Sequence, residues 1–316
     1  MSFSLWPVEF TSDIIRSING IKRDVLGWKE KPKALYHYTS FENVLNIGQS
    51  KSLWATCAED LADRTEIDYG AGIAEERVAR TLRQEDLDDF PRMFLEHVSN
   101  ALRDCKHRTF VACFCRTPRS NFHRIAFKSE YCLGFDTSLS PEPILRPPDL
   151  NADVQYGRVI YGRSVQRNAI TAAIRAIVKS AIKHSRGAPD GPWAKSIAKR
   201  CAEDCSNILM DIIACFKSND FRREDEWRIV CRPNLALNSS DPEFSRESFA
   251  RLIKPGGKQF IELSSNSVGT SLRGDQTAGI PFFSVHRFDR FQRHDAEFFS
   301  IKKMLDDNDG GGIHLR

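Results

Sequence analysis

Segments that favour β-strands lie toward both ends of this chain, and helical patterns fill most of the sequence between them. The strand-forming segments are rich in aromatic and β-branched residues and lie at 35–40, 52–56, 109–115, 131–135, 159–161, 226–231 and 258–263. They do not alternate regularly with helices, as the strands of a doubly wound parallel sheet do. The order of these segments therefore predicts an α+β fold.

Helical periodicity is clearest in the middle of the chain. Ala and Ile recur at helical spacing over 165–183, and 193–216 has the pattern of one long helix. A length of 316 residues suits one large domain or two small ones. We predict a single domain over 1–316, with a core at about 33–163 and 217–300 and a helical insertion at about 164–216. Ser, Gly, Asn and Pro are frequent over 235–280, which predicts loops.

Composition and motifs exclude several classes of protein. A formal net charge of +4 neither requires nor excludes a nucleic-acid partner. No apolar run approaches the ~20 residues of a membrane helix, and MSFSLWPVEF does not have the pattern of a secretory signal. Nine cysteines, an odd number, favour free thiols and a cytoplasmic location. Neither a G-x-G-x-x-G motif nor a P-loop is present.

The segment LYHYTS contains the first candidate binding residues. On a strand, His37 and Thr39 share one face, whereas Tyr36 and Tyr38 share the other. A His and a Thr placed side by side can hydrogen-bond a ribose. The alternative interpretation is a structural His that donates to a backbone carbonyl in a core.

The segment FRREDEWRIV contains the candidate acids. Glu224 and Glu226 are two residues apart, so their carboxylates point the same way if the chain is extended, with Asp225 facing oppositely. The alternative is a charged strand entry, in which the acids pair with nearby arginines such as Arg228.

Together these segments resemble the bacterial family called domain of unknown function 2971. The resemblance is carried by LYHYTSFENVLNIGQSKSLWAT, TFVACFC, YCLGFD and FRREDEWRIV. The sequence departs from that family at 61–66, where LADRTE replaces Asn-Asp-Pro-x-Glu and only Asp63 and Glu66 match. Cys115 stands where the family usually has Ser.

A more distant similarity is to the opening of ADP-ribosyltransferases, which implies a split antiparallel sheet core. It implies that His37 hydrogen-bonds the ribose attached to adenine and that Thr39 supports the adjacent ribose. It also implies that the backbone of Tyr38 holds the nicotinamide carboxamide, and that Tyr69 stacks on the nicotinamide ring.

The same similarity implies catalytic roles for two acids. Glu226 is the implied closing carboxylate, and Glu224 with Glu226 is similar to the Glu-x-Glu pair of the arginine-directed branch. Separately, Arg124 lies between two predicted strands, where its guanidinium is a candidate to pair with a pyrophosphate. The alternative is that Arg124 belongs to a solvated loop.

The function implied is cleavage of the nicotinamide–ribose bond of NAD, as substrate, and transfer of ADP-ribose to a protein or nucleic acid. A fixed carboxylate stabilises the oxocarbenium-like transition state, and the mechanism needs no metal. Bacterial proteins of this kind often act as toxins or antiviral effectors. On this hypothesis Glu226→Gln abolishes NAD cleavage and leaves the fold intact.

Two other functions fit the same residues. One is a catalytically inactive module that binds a nucleotide or nucleic acid with the same fold. The other is a metal-dependent nuclease or hydrolase whose ligands would be Asp63, Glu66, Glu224 and Glu226.

Overall fold

A computed structural model of the chain describes only part of its length. The described residues are 6–27, 30, 32–61, 65–118, 121–137, 152–185, 192–233, 260–264, 284–287, 300–304 and 314–315. Most of the predicted loop region at 235–280 and Asp63 lie outside them. All nine cysteines are free, and eight of them are buried. Among the helices of these residues, none combines the length and the hydropathy of a membrane span.

The chain divides into two compact units. The first, the helical unit, comprises 1–29, 58–109 and 159–222. The second, the sheet unit, comprises 30–57, 110–158 and 223–316. The predicted helical insertion at 164–216 lies within the helical unit, which takes in more of the chain than that insertion. The predicted α+β character is confirmed.

Five long helices form the helical unit. They are α1 (Trp6–Val25), α3 (Thr65–Gln84), α4 (Asp89–Asp104), α6 (Arg163–Ser185) and α7 (Pro192–Ile213). The sequence analysis did not predict α1, although Phe10, Ile14 and Ile18 are spaced every fourth residue and are fully buried. Phe10 packs edge-on against Phe94 of α4, with the ring centroids 5.0 Å apart.

Close packing between α3 and α7 makes Gly70 sensitive to substitution. A Cβ at Gly70 would lie 2.9 Å from Ile213 Cγ2 and 3.0 Å from the Ile213 carbonyl oxygen. We expect Gly70→Ala to lower the free energy of unfolding by about 1–3 kcal/mol, because the core must be overpacked. The measurement is urea unfolding.

The same helix offers a matched control at Gly72. No heavy atom lies within 4 Å of a Cβ built there. We expect Gly72→Ala to raise the free energy of unfolding by about 0.5–1 kcal/mol, since Ala is the better helix former. Equal stability of the two variants would contradict the close packing at Gly70.

The sheet unit contains nine strands among the described residues. They are β1 (Ala34–Thr39), β2 (Ser52–Cys57), β3 (Phe110–Cys115), β4 (Tyr131–Asp136), β5 (Ala152–Arg158), β6 (Glu226–Pro233), β7 (Phe260–Ser264), β8 (Ser284–Arg287) and β9 (His314–Leu315). The order is β5-β6-β3-β1-β4-β8-β9, with β2 between β3 and β7. Apart from the parallel pair β8–β9, neighbouring strands are antiparallel.

The prediction of a strand at 159–161 is wrong, because the strand β5 ends at Arg158, just before this segment. Ile160 forms only an isolated bridge with Phe216. Two shorter helices also belong to the sheet unit, α2 (Phe41–Ser50) and α5 (Asn121–Phe127). Residues 121–127, interpreted from the sequence as a connection between strands, are therefore helical.

One edge of β3 is shared by two strands, and this creates the site described below. β1 pairs with β3 only at Tyr36 and Cys115. β2 takes the other end of the same edge, where Thr56 and Cys57 pair with Val111 and Phe110. The helix α2 connects β1 to β2.

Candidate functional site

A cavity of about 880 Å³ lies beside β1, α2 and β2 of the sheet unit. This size is within the range of about 300–1,000 Å³ that is typical of small-molecule sites. Its lining residues are His37, Thr39, Asn43, Asn46, Ile47, Gln49, Ser50, Ser52, Leu53, Trp54 and Thr56. We call it the α2 cavity. Its lining includes His37 and Thr39, the two residues of LYHYTS that were predicted to share one face of a strand.

The helix α2 supplies its polar side to the cavity because of how it begins and packs. Ser40 caps its N-terminus, and the hydroxyl accepts a hydrogen bond from the Asn43 backbone N–H at 3.3 Å. Val44 and Gly48 are buried against the core, which turns the amide side chains of α2 toward the cavity. The amphipathic pattern of FENVLNIGQ thus determines which residues can meet a ligand.

The imidazole of His37 is fixed by a hydrogen bond to the backbone of β3. Its Nδ1 lies 2.9 Å from the carbonyl oxygen of Cys113, so Nδ1 carries the proton and donates. In the neutral ring, Nε2 is then the acceptor nitrogen. The imidazole also contacts the Phe114 ring, with the centroids 5.8 Å apart. The backbone contact that the sequence analysis gave as the alternative role is present, and it fixes a ring that lines the cavity.

Trp54 is the aromatic residue that lines the α2 cavity, and the sequence analysis did not select it. Its ring packs against Phe260 of β7 with the centroids 4.3 Å apart and the planes tilted by 33°, yet 43% of its surface is exposed. Strand alternation was the signal that could have found it. Leu53 and Ala55 are buried in the core, so Trp54 between them points to the opposite face of β2. His37 contacts Phe114 on the core side of the sheet, so His37 and Trp54 reach the α2 cavity from opposite faces, where β1 and β2 pair with different ends of β3.

The lining of the α2 cavity combines polar and apolar side chains and is nearly uncharged. Its described lining has three amide side chains and four hydroxyl side chains, and His37 is the one lining residue that can become charged. Amides and hydroxyls both donate and accept hydrogen bonds. Together with an exposed indole, such a lining suits a ring that bears hydroxyl and amide groups.

The sheet register separates Glu226 from His37. Tyr36 pairs with Cys115, and Cys115 pairs with Glu226, so these three residues share one face. His37 contacts Phe114 on the other face. The structure therefore does not bring Glu226 and His37 to one cavity, contrary to the sequence-based expectation.

Glu226 is instead part of a buried ion pair. Its carboxylate accepts hydrogen bonds from Nε of Arg228 at 2.7 Å and from Nη2 at 3.3 Å. Arg228 is fully buried, and Glu226 is 1% exposed. This is the arginine-paired arrangement that the sequence analysis gave as the alternative to catalysis. Burial raises the pKa of the Cys115 thiol, and the nearby Glu226 carboxylate raises it further.

Glu224 is also buried, at 5% exposure, near the start of β6. Its carbonyl oxygen accepts a hydrogen bond from Nε2 of His123, 2.8 Å away. Burial lowers the pKa of His123 and outweighs that hydrogen bond, which raises it. Asp225 has φ of 41°, the left-handed region that is uncommon for a residue with a Cβ, and its side chain lies 3.8 Å from Arg116.

The other predicted site residues do not line the α2 cavity. Tyr38 is buried, and its hydroxyl donates to the Thr117 carbonyl at 2.6 Å. Tyr69 belongs to the helical unit, where its hydroxyl donates to Gln166 at 2.8 Å. Arg124 is exposed on α5. The roles proposed for the Tyr38 backbone, the Tyr69 ring and Arg124 stay predictions.

The carboxylates of the nuclease hypothesis have other neighbours. Glu66 lies on α3 of the helical unit and pairs with Lys217 at 2.7 Å, and Asp63 lies outside the described residues. In the part of the chain that the structure describes, no group of three or more His, Cys, Asp or Glu side chains is arranged to hold a metal ion.

Comparison with family models, with curated proteins and with solved structures finds no match to this chain. Functional inference therefore rests on the site alone.

Proposed function

We propose that the sheet unit is a nucleotide-binding module whose α2 cavity takes the nucleoside part of its ligand. The observation that carries the proposal is that His37 and Thr39 line a cavity of about 880 Å³ together with an exposed tryptophan. A ribose offers hydroxyl groups to His37 and Thr39, and a base offers a flat ring to Trp54. NAD is the ligand to test first, because the sequence resembles ADP-ribosyltransferases at these residues.

The lining supports the nucleoside in preference to its phosphates. None of the described lining residues is a lysine or an arginine, whereas side chains that bind phosphate are commonly cationic. Adenosine and nicotinamide riboside should therefore retain a large part of the affinity of NAD for this cavity.

Transfer of ADP-ribose is the alternative function, and it requires a carboxylate at the reacting ribose. The carboxylate suggested by the sequence, Glu226, is neutralised by Arg228 and lies on the face of the sheet opposite to His37. This geometry supports binding without Glu226-dependent cleavage.

The test is equilibrium binding of NAD to the full chain, with free nicotinamide measured in the same samples. We expect saturable binding without nicotinamide release. His37→Ala should weaken binding about two- to tenfold, because one hydrogen bond contributes about 0.5–1.5 kcal/mol and each 1.4 kcal/mol is tenfold.

His97→Ala is the matched control, since His97 lies on α4 of the helical unit, and it should bind NAD as the wild type does. Unchanged affinity in folded His37→Ala would contradict the proposal. Nicotinamide release that Glu226→Gln abolishes in a folded variant would replace it with the transferase.

A further inference from the structure

A second cavity, of about 230 Å³, lies between α3 and α6 of the helical unit. It is lined by Ile73, Glu76, Arg77, Arg80, Arg167, Asn168 and Thr171. We call it the arginine cavity. It is smaller than the roughly 300 Å³ at which drug-sized sites begin, so its occupant must be compact.

The charges of the described side chains that line the arginine cavity do not balance one another. Three guanidinium groups line it against one carboxylate. That carboxylate, Glu76, accepts two hydrogen bonds from Nη2 of Arg167, both at 3.0 Å. Arg80 donates from Nε to Gln84 at 2.7 Å, and the amide oxygen of Gln84 is a neutral acceptor. Two positive charges are left over at the cavity.

Arg77 provides the second, independent observation. Its Nε is buried and has no hydrogen-bond partner in the described part of the chain. A buried donor without a partner is destabilising, and so are like charges one turn apart on a helix, such as Arg77 and Arg80. An anion seated in the cavity relieves both effects.

The donor set indicates which anion fits. A guanidinium presents Nε–H and Nη–H in a planar fork that matches two oxygens of a phosphate. The Asn168 amide and the Thr171 hydroxyl add neutral donors on the α6 side. We propose that the arginine cavity binds the phosphoryl group of a small anion, with Arg77 and Arg80 as its charged ligands.

The phosphoryl group has two possible sources, inorganic phosphate and a sugar phosphate. Calorimetric titration of the full chain with inorganic phosphate and with glucose 6-phosphate distinguishes them, and glucose serves as the uncharged control because the α2 cavity is proposed to take a ribose. We expect one site per chain for at least one of the two anions and no binding of glucose. Absence of binding by both anions at millimolar concentration overturns the proposal.

Paired variants then assign the site. We expect Arg77→Gln with Arg80→Gln to weaken binding at least tenfold. The matched control is Arg83→Gln with Arg175→Gln, which removes two exposed arginines from the same two helices and should bind as the wild type does. Equal weakening in both pairs would mean attraction by net charge alone and would overturn the proposal.

A conservative variant keeps the test informative if the first pair does not fold. Arg77→Lys retains the positive charge and loses the planar fork. We expect it to stay folded by circular dichroism and to bind the anion several-fold more weakly. Wild-type affinity in Arg77→Lys would remove Arg77 from the site and overturn the proposal. The arginine cavity and the α2 cavity lie in different units, so either proposal can fail alone.

Discussion

Glu226→Gln should destabilise the protein by about 3–5 kcal/mol, the usual cost of removing one partner from a buried ion pair. The substitution takes away the carboxylate that accepts two hydrogen bonds from Arg228, and the guanidinium stays fully buried. Urea unfolding measures the change. The catalytic hypothesis for Glu226 predicts the opposite, an intact fold with lost activity.

Glu130→Gln is the matched control for this prediction. Glu130 precedes β4 in the same unit and is exposed, so its substitution should change the free energy of unfolding by less than about 0.5 kcal/mol. Full stability of Glu226→Gln would contradict a structural role for the Glu226–Arg228 pair.

Trp54→Ala should weaken NAD binding by about 1–3 kcal/mol, the range measured when an aromatic side chain that stacks on a base is truncated. That range corresponds to a loss of about 5- to 150-fold, since each 1.4 kcal/mol is tenfold. Trp54 is 43% exposed, so its truncation leaves the core of the sheet unit unchanged. Equilibrium titration of the folded variant measures the loss.

Two further variants separate stacking from general hydrophobicity. Trp54→Phe keeps an aromatic ring and should recover most of the affinity. Ile125→Ala removes an apolar side chain that is 70% exposed on α5, and it should bind NAD as the wild type does. Wild-type affinity in Trp54→Ala would show that no ring stacks at this position.

The alternation of side chains along β1 could be predicted from the sequence, and it identified two residues of the candidate site. Because side chains alternate along a strand, His37 and Thr39 were expected on one face, and both line the α2 cavity. The same rule applied to SLWAT would have selected Trp54. The resemblance drew attention to Tyr69 instead, which lies in the helical unit.

The register between distant strands could not be predicted in this way. Whether His37 and Glu226 share a face depends on how β1, β3 and β6 are aligned, and a shift of one residue in either pairing reverses the answer. The alignment is determined by core packing of residues such as Phe114 and Trp227. Nothing within LYHYTS or EDEWRIV specifies that alignment.

The fold class was predicted because short strand-forming segments and long helical patterns are separated along the chain. The helix α1 was not predicted, since polar residues mask the four-residue spacing of Phe10, Ile14 and Ile18. The sequence analysis placed a strand at 159–161 instead of at β5, because an apolar Val-Ile-Tyr segment directly follows the more polar strand.

A structure of the protein determined with NAD or adenosine bound tests the central claim most directly. We predict that a ligand ring stacks on Trp54 and that a ribose hydroxyl lies within hydrogen-bond distance of His37. A ligand bound against Glu226, with the α2 cavity empty, would contradict the account.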